Sequence, residues 1–154
     1  MDTENLKKQV QEIVKKSCEL KDKYTGEFNA LVNYACIFSQ SQEEFETLIK
    51  VTNKIGKVVE ETPSGPLFHI TSINTISGDL KLLKIRKPDK TKPERGDADF
   101  TILNYFDFKD KYLSKEGFKL IERKDFEMIE LMNSDFNVRV YFSNPPLDVQ
   151  LNIK

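Results

Sequence analysis

The chain is poor in several of the residues on which functional assignments usually rest. It has one histidine, His69, so any catalytic triad that needs a histidine would depend on this residue. His69 lies between Phe68 and Ile70 in a predicted strand, and spacing fixes no serine or cysteine beside it. That setting is more typical of a partly exposed strand histidine than of a catalytic base. The two cysteines, Cys18 and Cys36, lack metal-site spacing and are interpreted as small apolar fillers.

An excess of charge, a long apolar run and a nucleotide-binding motif are missing as well. Lysine and arginine number 24 against 25 aspartates and glutamates, so no overall field attracts nucleic acid or acidic membranes. No apolar run approaches the about 18 residues of a membrane span, and the acidic amino terminus does not have the pattern of a secretory signal. No glycine-rich phosphate loop occurs. We therefore expect a cytoplasmic protein that binds neither nucleic acid nor membrane.

What the chain does have is a pattern that occurs twice. Residues 53–61 and 114–122 each place a helix end, a glycine (Gly56 and Gly117) and a short apolar strand in the same order. The two copies span residues 31–88 and 96–144. A pattern repeated at this length is typical of stacked supersecondary units, so it predicts two similar modules in one domain. A length of 154 residues and a hydrophobic content of 38% suffice for one such domain with a sizeable core.

A helix is predicted before the first copy, over residues 3–24. Thr3 is the expected N-cap and Gly26 the expected stop. Apolar positions recur at alternating spacings of four and three residues, which gives the helix one apolar stripe. That stripe either packs on the body of the domain or forms a coiled-coil seam, which would make the protein a homodimer. Its members are Leu6, Val10, Ile13, Ser17, Leu20 and Tyr24.

After this helix, the order of elements predicts an α+β fold of two tandem βαβββ modules that form a cupped mixed sheet. The first module has a strand at residues 31–38, a helix opened by Ser41, and three strands ending near residue 86. The second has a strand at 97–103, a helix capped by Asn104, and strands at 118–123, 126–132 and 137–143. Two modules packed together bury sheet faces that each would leave bare. We divide the chain into a helix at residues 1–26 and one domain at 27–154, with modules at about 30–88 and 96–145.

The order of elements resembles that of the vicinal oxygen chelate superfamily, which includes glyoxalase I, bleomycin-resistance proteins and extradiol dioxygenases, and within it the small YecM-like branch. The resemblance covers about residues 28–150 and is carried by residues 33–38, 42–56, 83–90, 95–100 and 140–147. In that superfamily the first and last strands of each module supply His, Glu or similar ligands to one divalent metal. The matching positions here are Tyr34, Lys84, Asp97 and Ser143. An ammonium is no ligand and lone hydroxyls are weak ones, so only Asp97, with Asp99, suits a hard cation.

Strand alternation by itself also predicts a cluster of polar residues. In residues 97–103 the alternate positions beginning at Ala98 face the core, and in the last strand those beginning at Val138 do so. The opposite face then carries two carboxylates beside a guanidinium and a phenol, with two basic residues of the first module on a matching face. The candidate ligand-binding residues are Lys84, Arg86, Asp97, Asp99, Arg139 and Tyr141.

Two interpretations of this cluster compete. In the first, the face is solvated and Asp97, Asp99 and Arg139 form exposed cross-strand ion pairs, each worth about 0–1 kcal/mol. In the second, the face is a cleft in which Arg139, Arg86 and Lys84 hold an anionic group and Asp97 is an acceptor or proton-transfer base. The second predicts a small-molecule-binding protein with a degenerate metal site and no cofactor. The alternatives are a divalent-metal enzyme of the glyoxalase or dioxygenase type and a protein-interaction module that uses the amino-terminal helix.

Overall fold

The computed structural model describes residues 1–153, which form an α+β fold of one amino-terminal helix and two βαβββ modules on a single mixed sheet. A short helix, α4, follows the second module. The elements are α1 (Thr3–Tyr24), β1 (Leu31–Phe38), α2 (Gln42–Thr52), β2 (Gly56–Thr62), β3 (Gly65–Thr75), β4 (Gly78–Arg86), β5 (Gly96–Thr101), α3 (Tyr105–Tyr112), β6 (Phe118–Glu122), β7 (Glu127–Leu131), β8 (Val138–Asn144) and α4 (Leu147–Gln150).

The sheet has the strand order β2-β3-β4-β1-β5-β8-β7-β6. In each half the first strand pairs in parallel with the last one, β1 with β4 and β5 with β8. The other strands of each half follow outward as antiparallel neighbours. The two halves meet where β1 and β5 pair antiparallel. The predicted α+β fold of two βαβββ modules is therefore confirmed, with the same order of pairings on either side of the β1–β5 seam.

The sheet is strongly curled. Neighbouring strands lie about 4.8 Å apart, so a flat eight-stranded sheet would separate its two edge strands by about 34 Å. Nevertheless Thr62 of the edge strand β2 and Ile121 of the opposite edge strand β6 line the same cavity. The two wings of the sheet therefore bend toward one another, and their concave side is a cup.

The convex face of the sheet is apolar and α1 packs on it. Ala98 and Phe100 of β5 and Val140 and Phe142 of β8 belong to one buried core that also contains the apolar stripe of α1. Within that stripe Leu6, Val10, Ile13, Ser17 and Leu20 are buried, and Tyr24 is partly buried. Packing on the body of the domain thus occupies the face that a coiled-coil seam, or a partner recruited through the helix, would need.

Helix caps explain where the helices begin. Ser41 Oγ accepts a hydrogen bond from the Glu44 backbone N–H at 3.0 Å, as the sequence predicts, and Asn104 caps α3. The predicted cap of α1 at Thr3 is wrong by one residue, because Asp2 Oδ1 accepts from the Asn5 backbone N–H at 2.8 Å. The carboxylate of Asp2 also interacts favourably with the positive end of the helix dipole.

Among residues 1–153, no helix combines the length and the apolar character that crossing a membrane requires.

Candidate ligand-binding site

The cup holds a cavity of about 600 Å³, a volume typical of small-molecule sites. Strand alternation places polar side chains on its floor, because the alternate residues of β5 and β8 face the core on the convex side. The strand register puts Lys84, Cys36, Asp97 and Arg139 in one row across four neighbouring strands. A second cavity of about 220 Å³ adjoins the first and shares Tyr34 and Lys84 with it.

The polar face is buried, so the interpretation as a solvated face with exposed ion pairs is wrong. Asp97 is 6% exposed, Asp99 0%, Arg139 7% and Tyr141 6%. The curl of the sheet and the segment between β4 and β5 remove these side chains from solvent. The exposed cross-strand ion pairs between the aspartates and Arg139 do not form, although Asp97 and Arg139 are direct partners in the β5–β8 register.

Arg139 is held by two glutamates instead. Its Nε donates to Glu94 Oε1 at 2.9 Å, and its NH1 lies 3.5 Å from Glu130 Oε2. The Tyr141 hydroxyl donates to the same Glu130 oxygen at 2.7 Å, and Arg139 NH2 donates to the Thr91 carbonyl at 3.0 Å. Each charged or polar group of this cluster has a partner, which is the arrangement that makes buried charges tolerable. We call it the Arg139 network.

The two aspartates are less well satisfied. The Ser143 hydroxyl donates to Asp99 Oδ2, whereas Asp99 Oδ1 and Asp97 Oδ1 are buried without a hydrogen-bond donor among the described residues. Burial, together with the negative charge of Asp99, raises the pKa of Asp97 to about 7, although the positive charges of Lys84 and Arg86 oppose the change. Burial also raises the pKa of Asp99 to about 7 against the hydrogen bonds from Ser143. Both carboxyl groups therefore change charge near neutral pH.

Basic side chains on the other side of the cup lack strong partners. Within residues 1–153, no hydrogen bond or ion pair engages the ammonium groups of Lys84 and Lys92, and the Arg86 NH2 group approaches Asp89 only at 3.5 Å. Arg86 Nε is buried without an acceptor in the same part of the chain. Burial lowers the pKa of Lys92, and the positive charges of Arg139 and Arg86 lower it further. The basic side of the cup thus has an excess of positive charge.

The structure places four of the six candidate residues, Lys84, Arg86, Asp97 and Tyr141, on the lining of the 600 Å³ cavity. Asp99 and Arg139 are not among the residues that line it. The cavity is also lined by Glu130, Lys92, Arg123 and an apolar wall mostly of the second module, none of which the sequence predicted. The alternation of β7, whose Ile129 and Leu131 are core residues, would have put Glu130 on the polar face. The wall consists of Pro63, Ile121, Phe126 and Met128, and Phe38 lies on the floor beside Arg86.

The positions that the superfamily resemblance implies as metal ligands do not fit a divalent cation. Tyr34, Lys84 and Ser143 line the smaller cavity and Asp97 the larger one, so the four lie in one region of the cup. However, the ammonium of Lys84 would repel a cation, and the Ser143 hydroxyl donates to Asp99. Within residues 1–153, no group of three or more His, Cys, Asp or Glu side chains is arranged to hold a metal ion. The pair Asp97 and Asp99 alone is too small a donor set.

Comparison with known proteins shows similarity in fold. No protein-family model and no curated protein matches the chain. Among solved structures it is similar to one described as "Structural Genomics, Protein EC4020", with a TM-score of 0.63, 12% identity, and coverage of 88% of this chain and 87% of that one. A glyoxalase/bleomycin resistance protein/dioxygenase superfamily member from Vibrio splendidus 12B01 superposes with a TM-score of 0.38 and 8% identity, over 71% of this chain and 94% of that one. The first similarity shows a shared fold, whereas the second superposition is too poor to show one.

Proposed function

We propose that the protein binds a small anionic molecule in the cup between its two modules. The observation that carries the proposal is the charge of the cavity lining. Four basic side chains, Lys84, Arg86, Lys92 and Arg123, line it together with two acidic ones, Asp97 and Glu130. Glu130 shares the positive charge of Arg139 with Glu94, and Asp97 is partly protonated near neutral pH. The basic groups that remain would hold a carboxylate, sulfate or phosphate group in a site partly screened from water.

We also propose that the chain belongs to the vicinal oxygen chelate superfamily, close to its small YecM-like branch, and acts in the cytoplasm. The paired βαβββ order and the curled sheet support the superfamily assignment. This assignment agrees with a ligand in the cup, but the residues at the metal positions make the site one that works through charge and hydrogen bonds. The proposed function is therefore ligand binding without the metal-dependent reaction of the superfamily.

The proposal is tested by a thermal-shift screen of small carboxylates, sulfates and phosphates. A ligand present at a hundredfold excess over its Kd stabilises the folded protein by about 2.7 kcal/mol. For a chain of this length that corresponds to a rise in Tm of about 5–10 °C. We expect hits among the anions and none among neutral compounds of the same size.

Two lysines of β4 supply a matched pair of variants. Lys84 lines the cavity, whereas Lys81 is exposed on the same strand. Lys84→Gln should weaken the binding of every anionic hit by about tenfold or more, and Lys81→Gln should leave the affinity unchanged. Equal affinities in both variants, or the absence of any anionic hit for the wild-type protein, would remove the proposed site.

A further inference from the structure

The floor of the cup contains a buried acceptor that has no donor. Asp97 Oδ1 is shielded from solvent, the residue is 6% exposed, and no group within residues 1–153 donates to this oxygen. Buried polar atoms in folded proteins are nearly always paired, because an unpaired one loses its hydration without compensation. Asp97 lines the 600 Å³ cavity, so a ligand there that brings a hydrogen-bond donor to this carboxyl group would supply a missing partner.

Arg86, which lines the same cavity, carries a buried donor that has no acceptor. Arg86 Nε is fully shielded and unpaired among the described residues, and Lys84 lies beside it on β4. Lys84 and Asp97 are both direct register partners of Cys36, so their Cα atoms are two strand spacings, about 10 Å, apart. The long lysine side chain shortens the gap between the charged ends. One small molecule can therefore contact the basic groups with its anionic end and Asp97 with a neighbouring group.

The rest of the lining is apolar. Phe38 lies on the floor beside Arg86, and its ring centroid is 5.9 Å from the guanidinium carbon. Ile121, Phe126 and Met128 form the wall on the opposite side of the cavity. A volume of about 600 Å³ is larger than a carboxylate with one neighbouring polar group would need. The remaining space suits an apolar body such as a phenyl ring or a branched alkyl chain.

We propose that the cup selects carboxylates that carry a hydroxyl or an amino group on the carbon next to the carboxylate and an apolar group beyond it. This inference rests on the proposed function and narrows its ligand class. Lys84 and Arg86 bind the carboxylate, Asp97 accepts the hydrogen bond from the hydroxyl or amino group, and Phe126 and Met128 contact the apolar group. Asp97 is then the residue that determines specificity.

The charge state of Asp97 separates this proposal from an alternative in which a protonated Asp97 donates a hydrogen bond to the anion. An ionised Asp97 can only accept, so a ligand without a donor would leave Oδ1 unpaired and would bring a second negative charge near it. If Asp97 were instead protonated in the complex, it would donate to the anion, and a simple carboxylate would bind as well as a hydroxylated one. The two cases predict opposite ligand preferences for the same protein.

Three matched compounds test the proposal: 3-phenylpropionate, 3-phenyllactate and phenylalanine, which bear hydrogen, hydroxyl and ammonium at the same carbon. We expect isothermal titration calorimetry at pH 8 to give 3-phenyllactate or phenylalanine a Kd at least about tenfold lower than that of 3-phenylpropionate, because only these two fill the unpaired acceptor. The better of the two identifies the donor as hydroxyl or amine.

Variants of Asp97 make the test specific. Asp97→Ala should abolish the preference among the three compounds, and Asp97→Asn, with nearly the same shape, should reduce it, which covers the case in which the alanine variant does not fold. Asp79→Asn, an exposed aspartate of β4, is the control and should keep the preference. Equal affinities for the three compounds that still depend on Lys84 would overturn this inference and leave the anion site standing. Failure of all three to bind, with other anions binding, would overturn it as well.

Discussion

The strands β4 and β8 occupy equivalent places in the two modules, but the polar side chains of β8 have partners and those of β4 largely lack them. Each lies parallel to the first strand of its module and projects long polar side chains into the cup. On β8, Arg139 has two carboxylates and a backbone carbonyl as partners, and Tyr141 shares one of those carboxylates. On β4, Lys84 has no ion pair within residues 1–153, and Arg86 has one contact at 3.5 Å.

The difference indicates that the polar groups of the second module pair with one another, whereas the basic groups of the first module remain without strong partners. The members of the Arg139 network satisfy one another's hydrogen bonds and charges, and the network fixes one side of the cup. Lys84 and Arg86 of β4 line the cavity without such partners, so their charge would be available to the proposed ligand. Asp97 lies next to the β1–β5 seam, between the two arrangements.

The largest effect on the free energy of unfolding is expected from breaking the Arg139 network. Arg139→Met removes the cation but leaves Glu94 and Glu130 largely buried, with side-chain exposures of 13% and 10%. Removal of one partner of a buried ion pair leaves a charge uncompensated and costs about 3–5 kcal/mol. We expect urea denaturation at pH 7 to show a loss of this size. A loss below about 1 kcal/mol would show that the network contributes little to stability.

A smaller effect, with a definite pH dependence, is expected at the seam. Because folding raises the pKa of Asp97 from 3.8 to about 7, the folded protein holds this proton more tightly than the unfolded chain. The free energy of unfolding therefore falls as the pH rises from about 4 through about 7, and the full cost is present above pH 7. An asparagine side chain cannot ionise, so the Asp97→Asn variant should be more stable than wild type at pH 8 by about 2–4 kcal/mol.

Unfolding curves measured from pH 4 to pH 9 check this prediction. The difference between Asp97→Asn and wild type should shrink toward zero at pH 4, where Asp97 is largely protonated in the folded state and about half protonated in the unfolded state. Asp79→Asn serves as the exposed control, with no such trend. A variant that is less stable than wild type at pH 8 would mean that the ionised Asp97 has a stabilising partner.

The smallest effect on the free energy of unfolding is expected from the basic side chains of β4. Lys84 has no ion pair to lose within residues 1–153, so Lys84→Met should change the free energy of unfolding by less than about 1 kcal/mol at pH 7, in contrast to Arg139→Met. Urea denaturation of the two methionine variants under the same conditions gives the comparison directly. A loss for Lys84→Met as large as that for Arg139→Met would remove the distinction between the two strands.

Local patterns in the sequence predict the elements and the two faces of the sheet well. The bounds of α1 and β1 agree with those expected, because amphipathic periodicity and continuous apolar runs are local properties. The alternation of β5 and β8 correctly assigns Ala98 and Val140 to the core and Asp97 and Tyr141 to the other face. These assignments need only the period of a strand and the sign of each side chain's hydrophobicity.

The environment of the polar face could not be read in the same way. Its burial depends on the curl of eight strands, and the partner Glu94 comes from the segment before β5, far from Arg139 in the sequence. The short helix α4 was not predicted, and its Asp148 accepts from Asn33 Nδ2 at 2.7 Å. The two consecutive prolines that follow β8 give no indication that the chain turns back toward β1. Contacts between distant segments decide these features.

The seam between the modules also limits how the proposed ligand would enter the cup. The β1–β5 ladder runs from the pair Leu31–Thr101 to the pair Ile37–Gly96, so the halves cannot swing apart without breaking backbone hydrogen bonds. Proteins that close two lobes over a ligand bend at loops or element ends between them, and this sheet is continuous there. We therefore expect a cavity of fixed width that a ligand enters over the rim at residues 62–64 and 123–126. Such a cavity would exclude bulky molecules sterically, whatever their charge.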